Sequence, residues 1–600
     1  MNVHPMQEAV TQPTSVPHRK LSPLEMDRIA PSRDERLFLV LSIFIGVLSG
    51  LLVVSFRVAI EWIKILTLGS APHGGQFRLL FVPALAGLFV AALVQLFFPA
   101  ARGSGVNQTK AALYIYNGYI SFKTVIGKFI TSALAIGCGH SLGPEDPSLQ
   151  IGAGVASIVA RRLDLSKQRL RLFAPIGAAA GLAAAFNAPI SAILFVIEEV
   201  IGRWSAAVLG SIVLSAISSV VVARWFWGSE PMFRIPSVTL RDPRELIAYA
   251  VLGVAGGFSA LVFSKALGYL RPRLRALPHW THYWQSGIAG LLVGLIGFVG
   301  FPQVMGPGYE VIDQAMHGQF AWKLLLALAL LKILATTLSF SSGTPGGMFA
   351  PTLFIGAMLG ASVGSFEKLF FPHLTGSVGS YALVGMGVLF AGFLRAPLTS
   401  VFMVLEVSGN YSIILPVILA NMIAYLLSRG LQPTPIFEVF THQDGLALPS
   451  MEEEREESGL HLEDALQPVN IPVIQGKKTI AEAGQAIAVT QAPTFLVHLW
   501  DGSWYAMKAE ELISTSATFT PDTPIEQVLP PERTPILFPD LPLDNTLPYF
   551  PRWPLLPIMN RASKGTLEGI VTLEDVLRRY QGKGLECVRA AAPVRWVYLE

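Results

Sequence analysis

The sequence predicts an all-α polytopic membrane protein, built from two structural repeats with broken helices and followed by a smaller soluble α/β part. Three observations lead there. Hydrophobic residues make up 52% of the chain and charged residues only 14%, against roughly 25% charged in an average soluble domain. Uncharged runs of membrane-spanning length recur from residue 37 to residue 428. Two patterns of the first half return, in the same order, in the second. Several classes are excluded at once. So apolar a chain does not stay solvated as a disordered one. A net charge of +3 supplies no bulk field for nucleic acid. Two distant cysteines, Cys138 and Cys587, make no disulfide scaffold.

Residues 1–36 are polar and include Arg19, Lys20, Arg28, Arg33 and Arg36. Without a short apolar core and small-residue cleavage site they read as a cytosolic tail, not a signal peptide. Residues 37–56 then run uncharged; at about 1.5 Å per residue they cross a hydrocarbon core of about 30 Å. Further uncharged runs cover 79–101, 172–197, 205–223, 246–264, 276–309, 333–366, 369–394 and 407–428. The apolar stretch 147–160 is too short to span and predicts a half-helix. Broken helices at membrane depth need protein or a wet cavity around them and mark transport sites.

Pro147-Ser-Leu-Gln-Ile-Gly-Ala153 returns 204 residues on as Pro351-Thr-Leu-Phe-Ile-Gly-Ala357. Ala188-Pro-Ile-Ser-Ala-Ile-Leu-Phe-Val-Ile-Glu198 returns 208 residues on as Ala396-Pro-Leu-Thr-Ser-Val-Phe-Met-Val-Leu-Glu406. Residues of about 37–220 and 245–430 therefore form two repeats within a transmembrane domain of 37–440, although the matches alone do not fix their relative direction. Residues 441–467 form an acidic linker, with Glu452, Glu453, Glu454, Glu456 and Glu457 beside Arg455. Beyond it, 471–474 and 494–497 predict strands and 479–488 a helix; 555–560 and 569–572 predict strands and 573–580 a helix. Eleven prolines between 521 and 557 predict irregular backbone there. Residues 586–600 read as a C-terminal tail.

The chemistry resides in three segments: Gly103-Ser-Gly-Val-Asn-Gln108, Gly143-Pro-Glu-Asp-Pro-Ser-Leu-Gln-Ile-Gly152 and Gly343-Thr-Pro-Gly-Gly-Met-Phe-Ala-Pro351. Each sets Gly, Ser or Pro just ahead of an apolar stretch. A helix N-terminus exposes unpaired N–H groups and about half a positive charge, and glycine lets a ligand approach that backbone. Several such ends meeting in a membrane replace the water around a small anion, without a cation that would hold it too tightly for release.

These segments resemble the CLC family of chloride channels and chloride/proton exchangers. Gly103-Ser-Gly-Val resembles its GSGIP, Gly143–Gly152 its GREGPTVQIG, and Gly346-Gly-Met-Phe-Ala-Pro351 its GGIFAP; Gly177 to Pro189, continuing to Glu198-Glu199, is close to a family signature. The resemblance implies two inverted repeats, a multi-pass integral membrane protein with both termini cytosolic, and a homodimer with one pathway per subunit. It implies an anion site at Ser104, Gly105, the backbone of Met348 and Phe349, and Phe437. Glu145 stands at the gating glutamate, which takes an anion position when ionised and carries the proton when protonated. Glu199 stands at the inner proton-transfer acid, and Lys128 at a basic residue near the pathway. Ser104 favours chloride over nitrate.

Four departures from the family pattern stand out: Pro144 for Arg or Lys, Asp146 for Gly, Asn107 for Pro, and Phe437 for a Tyr hydroxyl. Asp146 followed by Pro147 predicts a helix N-cap. As a second acid with no neighbouring cation it is also expected to oppose ionised Glu145, so Asp146→Gly is expected to move the pH dependence of transport toward acid. Glu198 and Glu406 are expected to be structural.

Residues 468–585 resemble a CBS-domain pair. Thr572 and Asp575 match the Gly-x-x-Thr-x-x-Asp segment that implies an adenine nucleotide; Lys508 and Glu511 hold those places in the first copy, which lacks the pattern. The expected function is chloride/proton antiport, with chloride and protons as transported species, lipid and a second copy as partners, no nucleic acid, and no metal or other cofactor. A passive voltage- or pH-gated chloride channel is the alternative. An intramembrane enzyme is disfavoured, since no His is followed by Glu and no Gly-x-Ser-Gly or Walker A run occurs.

Overall fold

Helix α1 spans Arg33–Thr67, continuing well past the uncharged run because Arg57, Glu61 and Lys64 fall at its far end. The computed structural model describes residues 33–70, 72–162, 167–202, 206–233, 243–371, 376–446, 448, 460–516, 519–560 and 566–579. Residues 1–32, the glutamates of 452–457 and the tail with Cys587 lie outside the described residues. The chain forms two compact units, one up to residue 450 and one from 451.

In the first unit follow α2 Phe77–Leu96, α3 Gly105–Tyr114, α4 Phe122–Gly137, α5 Glu145–Arg161, α6 Lys167–Phe186, α7 Pro189–Phe195 and α8 Ala206–Trp227. Helix α7 runs on as a π-helical turn, Val196–Ile201. The second half comprises α9 Glu245–Arg275, α10 His282–Val299, α11 Tyr309–Met316, α12 Trp322–Ser341, α13 Phe349–Phe370, α14 Val378–Leu394, α15 Pro397–Ser408, α16 Ile414–Leu431 and α17 Ile436–Gln443. Eight helices among the described residues are long and apolar enough to cross a membrane.

The uncharged run 333–366 is not one element. It is divided between α12 and α13 at the Gly-rich break, and α12 begins earlier, carrying Lys332 into the interior. Burial of this ammonium is tolerated because it is bonded: Lys332 Nζ donates to the carbonyls of Val304 (2.9 Å) and Gly306 (2.6 Å). Lys128 in α4 does the same to Ala101 (3.1 Å) and Gly103 (2.6 Å).

That correspondence extends to the backbone. Gly143 and Gly347, 204 residues apart in sequence, exchange N–H···O=C bonds of 2.8 Å in both directions as an antiparallel bridge. Equivalent residues paired antiparallel lie about a local two-fold, so α5 and α13 leave the bridge in opposite directions and the repeats are inverted. Each then crosses its successor at glycines. A Cβ on Gly152 would lie 2.1 Å from the Gly177 oxygen, and one on Gly356 2.2 Å from the Gly385 oxygen.

The second unit holds β1 Val473–Gln475, α18 Ile480–Thr490, β2 Thr494–His498, β3 Trp504–Lys508, α19 Ala509–Ser516, β4 Leu555–Met559 and β5 Leu567–Thr572, with a helix at 573–579. β1 pairs parallel with β2, and β2 antiparallel with β3; β4 and β5 form a separate antiparallel pair. β3 was not expected, although Asp501-Gly502 between two apolar runs is a hairpin signal. Within 521–557, before β4, the regular elements are the 3₁₀ turns Ile525–Gln527 and Leu543–Tyr549, with isolated bridges at Pro524, Leu537 and Pro542.

Candidate functional site

Ser104 caps α3: its Oγ accepts from the Val106 N–H at 3.2 Å. Glu145 and Asp146 occupy the first turn of α5, which starts directly after the two-fold bridge. On the other side of that bridge Met348 caps α13 and Phe349 begins it. These helix ends meet. The Asp146 carboxylate leaves its own helix and accepts from the Val106 N–H (2.8 Å) and from the Ser104 hydroxyl (3.1 Å to Oδ2). A Cβ on Gly347 would lie 2.5 Å from the Asp146 Cβ. The Phe349 ring contacts those of Phe195 (4.9 Å between centroids) and Phe437 (6.5 Å). Asn107, where the family resemblance implies Pro, donates to the Phe437 carbonyl at 2.9 Å, fixing the start of α17 on α3. Ser104, Gly105, Glu145, Asp146, Met348, Phe349 and Phe437 therefore gather in one buried region.

Asp146 is not an N-cap. Pro144 takes that position, and Pro147 sits inside the first turn, where its missing N–H is an orphan in any helix. Asp146 is thereby free to satisfy donors of α3 instead. Nor does it lack a cation. The local sequence has none, but α4 supplies Lys128, whose ammonium donates to the Gly103 carbonyl next to the Ser104 that holds Asp146.

Glu145 is fully buried. Its Oε1 accepts from the Tyr309 hydroxyl, while Oε2 has no hydrogen-bond partner among the described residues. Tyr309 also lines a cavity of about 640 Å³ together with Arg57, Lys64, Pro144 and Glu310. Sequence reasoning missed Tyr309 and Lys332. The repeat offset could have found both. Gly306-Pro-Gly-Tyr309 lies 203 residues beyond Gly103-Ser-Gly-Val106, and Lys332 lies 204 beyond Lys128.

Glu199 stands apart from this gathering. It lies on the π-turn, where Lys110 Nζ donates to it at 2.9 Å in a largely buried ion pair. The widened turn lets consecutive acids face different elements. Glu198 accepts from the N–H groups of Leu398 (3.2 Å) and Thr399 (2.9 Å) and from the Thr399 hydroxyl (2.6 Å). Glu406 returns the arrangement with the N–H groups of Ile190 (2.9 Å) and Ser191 (2.7 Å) and the Ser191 hydroxyl (2.5 Å). Both carboxylates are structural caps.

In the second unit Thr572 and Asp575 bond to each other. Asp575 Oδ2 accepts from the Thr572 N–H (3.0 Å) and hydroxyl (2.6 Å), and the Thr572 Oγ1 accepts from the Asp575 N–H (3.3 Å). No group of three or more potential metal ligands occurs among the described residues.

Residues 86–429 match the family model described as voltage gated chloride channel. The H(+)/Cl(-) exchange transporter ClcA of Salmonella arizonae is 33% identical over 417 residues, covering 66% of this chain and 87% of that protein. ClcA of Salmonella paratyphi B matches at the same identity and coverage. Among solved structures, a slow cyanobacterial Cl−/H+ antiporter superposes with a TM-score of 0.62 at 24% identity, over 68% of this chain and 97% of its own. A eukaryotic CLC transporter superposes with a TM-score of 0.58 at 20% identity, over 90% of this chain and 97% of its own. The structural likenesses show a shared fold.

Proposed function

The chain belongs to the CLC family, as an integral multi-pass membrane protein among transporters rather than enzymes, and from that premise we propose that it exchanges chloride for protons. The observation that carries the reading is the meeting of the helix ends of α3, α5 and α13 at Ser104, Glu145 and Phe349. Backbone donors at Gly105, Met348 and Phe349 and the Ser104 hydroxyl suit a small anion, and Phe437 adds an apolar wall without a further donor. Glu145 is the gate. Ionised, its carboxylate competes with chloride for these positive helix ends; protonated, it gives up the position and takes its proton with it. The cavity at Tyr309 supplies a wet approach to this carboxylate.

Glu199 is the inner proton-transfer acid in this reading, released by separation from Lys110. That ion pair also favours the second reading, a passive voltage- or pH-gated chloride channel, since an acid pinned by a lysine does not relay protons. A homodimer in lipid, one pathway per subunit and cytosolic termini complete the proposal. Residues 468–585 are read as a CBS-like pair. The mutual bonding of Thr572 and Asp575 is that of a helix cap, which favours a structural module over an adenine nucleotide site.

The test is chloride-driven proton movement in sealed vesicles, with Glu199→Gln beside the wild type. Uphill proton pumping in the wild type, lost in the variant while chloride flux continues, is expected. Chloride flux without proton movement in the wild type would establish the channel, and absence of chloride flux would overturn both readings.

A further inference from the structure

We propose that Asp146 is a tethered occupant of the anion position at Ser104, so that this chain carries two competing carboxylates, Glu145 and Asp146, in consecutive positions. The inference rests on the transport reading above and deepens it by naming what the incoming chloride must displace.

The geometry is that of a bound anion. Asp146 is fully buried and Ser104 only 5% exposed. The carboxylate takes the Val106 N–H at 2.8 Å and the Ser104 hydroxyl at 3.1 Å. These are a first-turn N–H of α3, shared with the Ser104 cap at 3.2 Å, and the hydroxyl of that cap, the groups a helix N-terminus offers to an anion. A side chain from α5 reaches them because residue 105 is glycine: a Cβ there would lie 2.4 Å from the Asp146 carbonyl oxygen and 2.9 Å from its Oδ1. The cation near this position is Lys128, whose ammonium is held by the Gly103 and Ala101 carbonyls just before the cap. Glu145, although adjacent in sequence, is turned to Tyr309. The same two donors cannot serve a carboxylate and a chloride together, and two anions beside Lys128 would repel at short range in a medium that screens poorly. Occupation is therefore exclusive. Chloride reaches Ser104 only when Asp146 withdraws or is neutralised by a proton.

The experiment is chloride binding to the purified full-length protein by isothermal titration calorimetry, paired with chloride flux in vesicles, for the wild type, Asp146→Gly, Asp146→Asn and Ser104→Ala in both wild-type and Asp146→Gly backgrounds. Removing a charge-assisted competitor is expected to tighten chloride binding at least about tenfold in Asp146→Gly, with faster flux. The nearly isosteric Asp146→Asn, which keeps the volume and removes the charge, is expected to tighten it in the same direction and serves if the glycine variant does not fold. Ser104→Ala should weaken binding severalfold in the Asp146→Gly background and change it less than twofold in the wild type, a dependence that a purely structural Asp146 would not produce. Unchanged or weaker chloride affinity in a folded Asp146→Gly or Asp146→Asn protein, with wild-type chloride flux intact, overturns this inference alone. Absence of chloride flux in every variant overturns the transport reading beneath it.

Discussion

Glu145, the gate of the proposed mechanism, is a buried carboxylate whose two oxygens have unlike surroundings. One oxygen is fastened by the Tyr309 hydroxyl, and the other is buried without a hydrogen-bond partner among the described residues. An unmet buried acceptor costs about 1–3 kcal/mol, so the observed position depends on the Tyr309 bond and on the helix ends nearby. Tyr309→Phe should loosen the carboxylate and raise chloride flux relative to proton flux. The ratio of the two fluxes in vesicles measures this, and a ratio equal to that of the wild type would refute the role. Lys128 and Lys332 illustrate the opposite case. Their ammonium groups are fully buried and each is bonded to two carbonyls at the head of a short helix, so they brace the loops that present Ser104 and Tyr309.

Among elements, the reciprocal caps tie the two repeats together. The N-terminus of α15 is held by Glu198 from the first repeat and that of α7 by Glu406 from the second, each through two N–H groups and one hydroxyl. Such charge-assisted bonds stabilise by about 1.5–3 kcal/mol each at most and act with the helix dipole. Glu198→Gln and Glu406→Gln should each destabilise the protein by about 1–3 kcal/mol, read as a lowered unfolding temperature in detergent. Because the arrangement is symmetric, the two losses should be of similar size; a loss confined to one variant would argue against equivalent roles. Helices α5 and α13 need the glycine crossings for the same architectural reason, since their termini must reach the two-fold bridge while their bodies stay within protein.

On the scale of the molecule, two units with different chemistry share one chain. The first buries Ser104, Lys128, Glu145, Asp146 and Lys332 within broken helices. The second is a small α/β unit whose helix at 573–579 begins at a Thr572–Asp575 capping box equivalent to Thr479–Glu482 at α18. Thr572→Ala should therefore cost about 1 kcal/mol, seen in the thermal unfolding of the full-length protein, and calorimetric titration of the full-length protein with ATP should give no binding heat. Saturable ATP binding that disappears in Thr572→Ala would reverse the assignment in favour of a nucleotide site.

Membrane class, repeat spacing and the helix breaks were legible in the linear order of residues. Apolarity, charge-free length and Gly-Pro punctuation act locally, so the three Gly-rich segments stood out without coordinates, and the family resemblance marked Ser104, Glu145 and Phe349 within them as candidates. The partners could not. Asp146 meets Ser104 across 42 positions, Lys110 meets Glu199 across 89, and Tyr309 meets Glu145 across 164. Local preference made Asp146 a cap for its own helix. Folding sent it to another, because Gly105 lets the head of α3 pack closely against the start of α5, and a buried carboxylate takes the strongest donors available in space rather than the nearest in sequence.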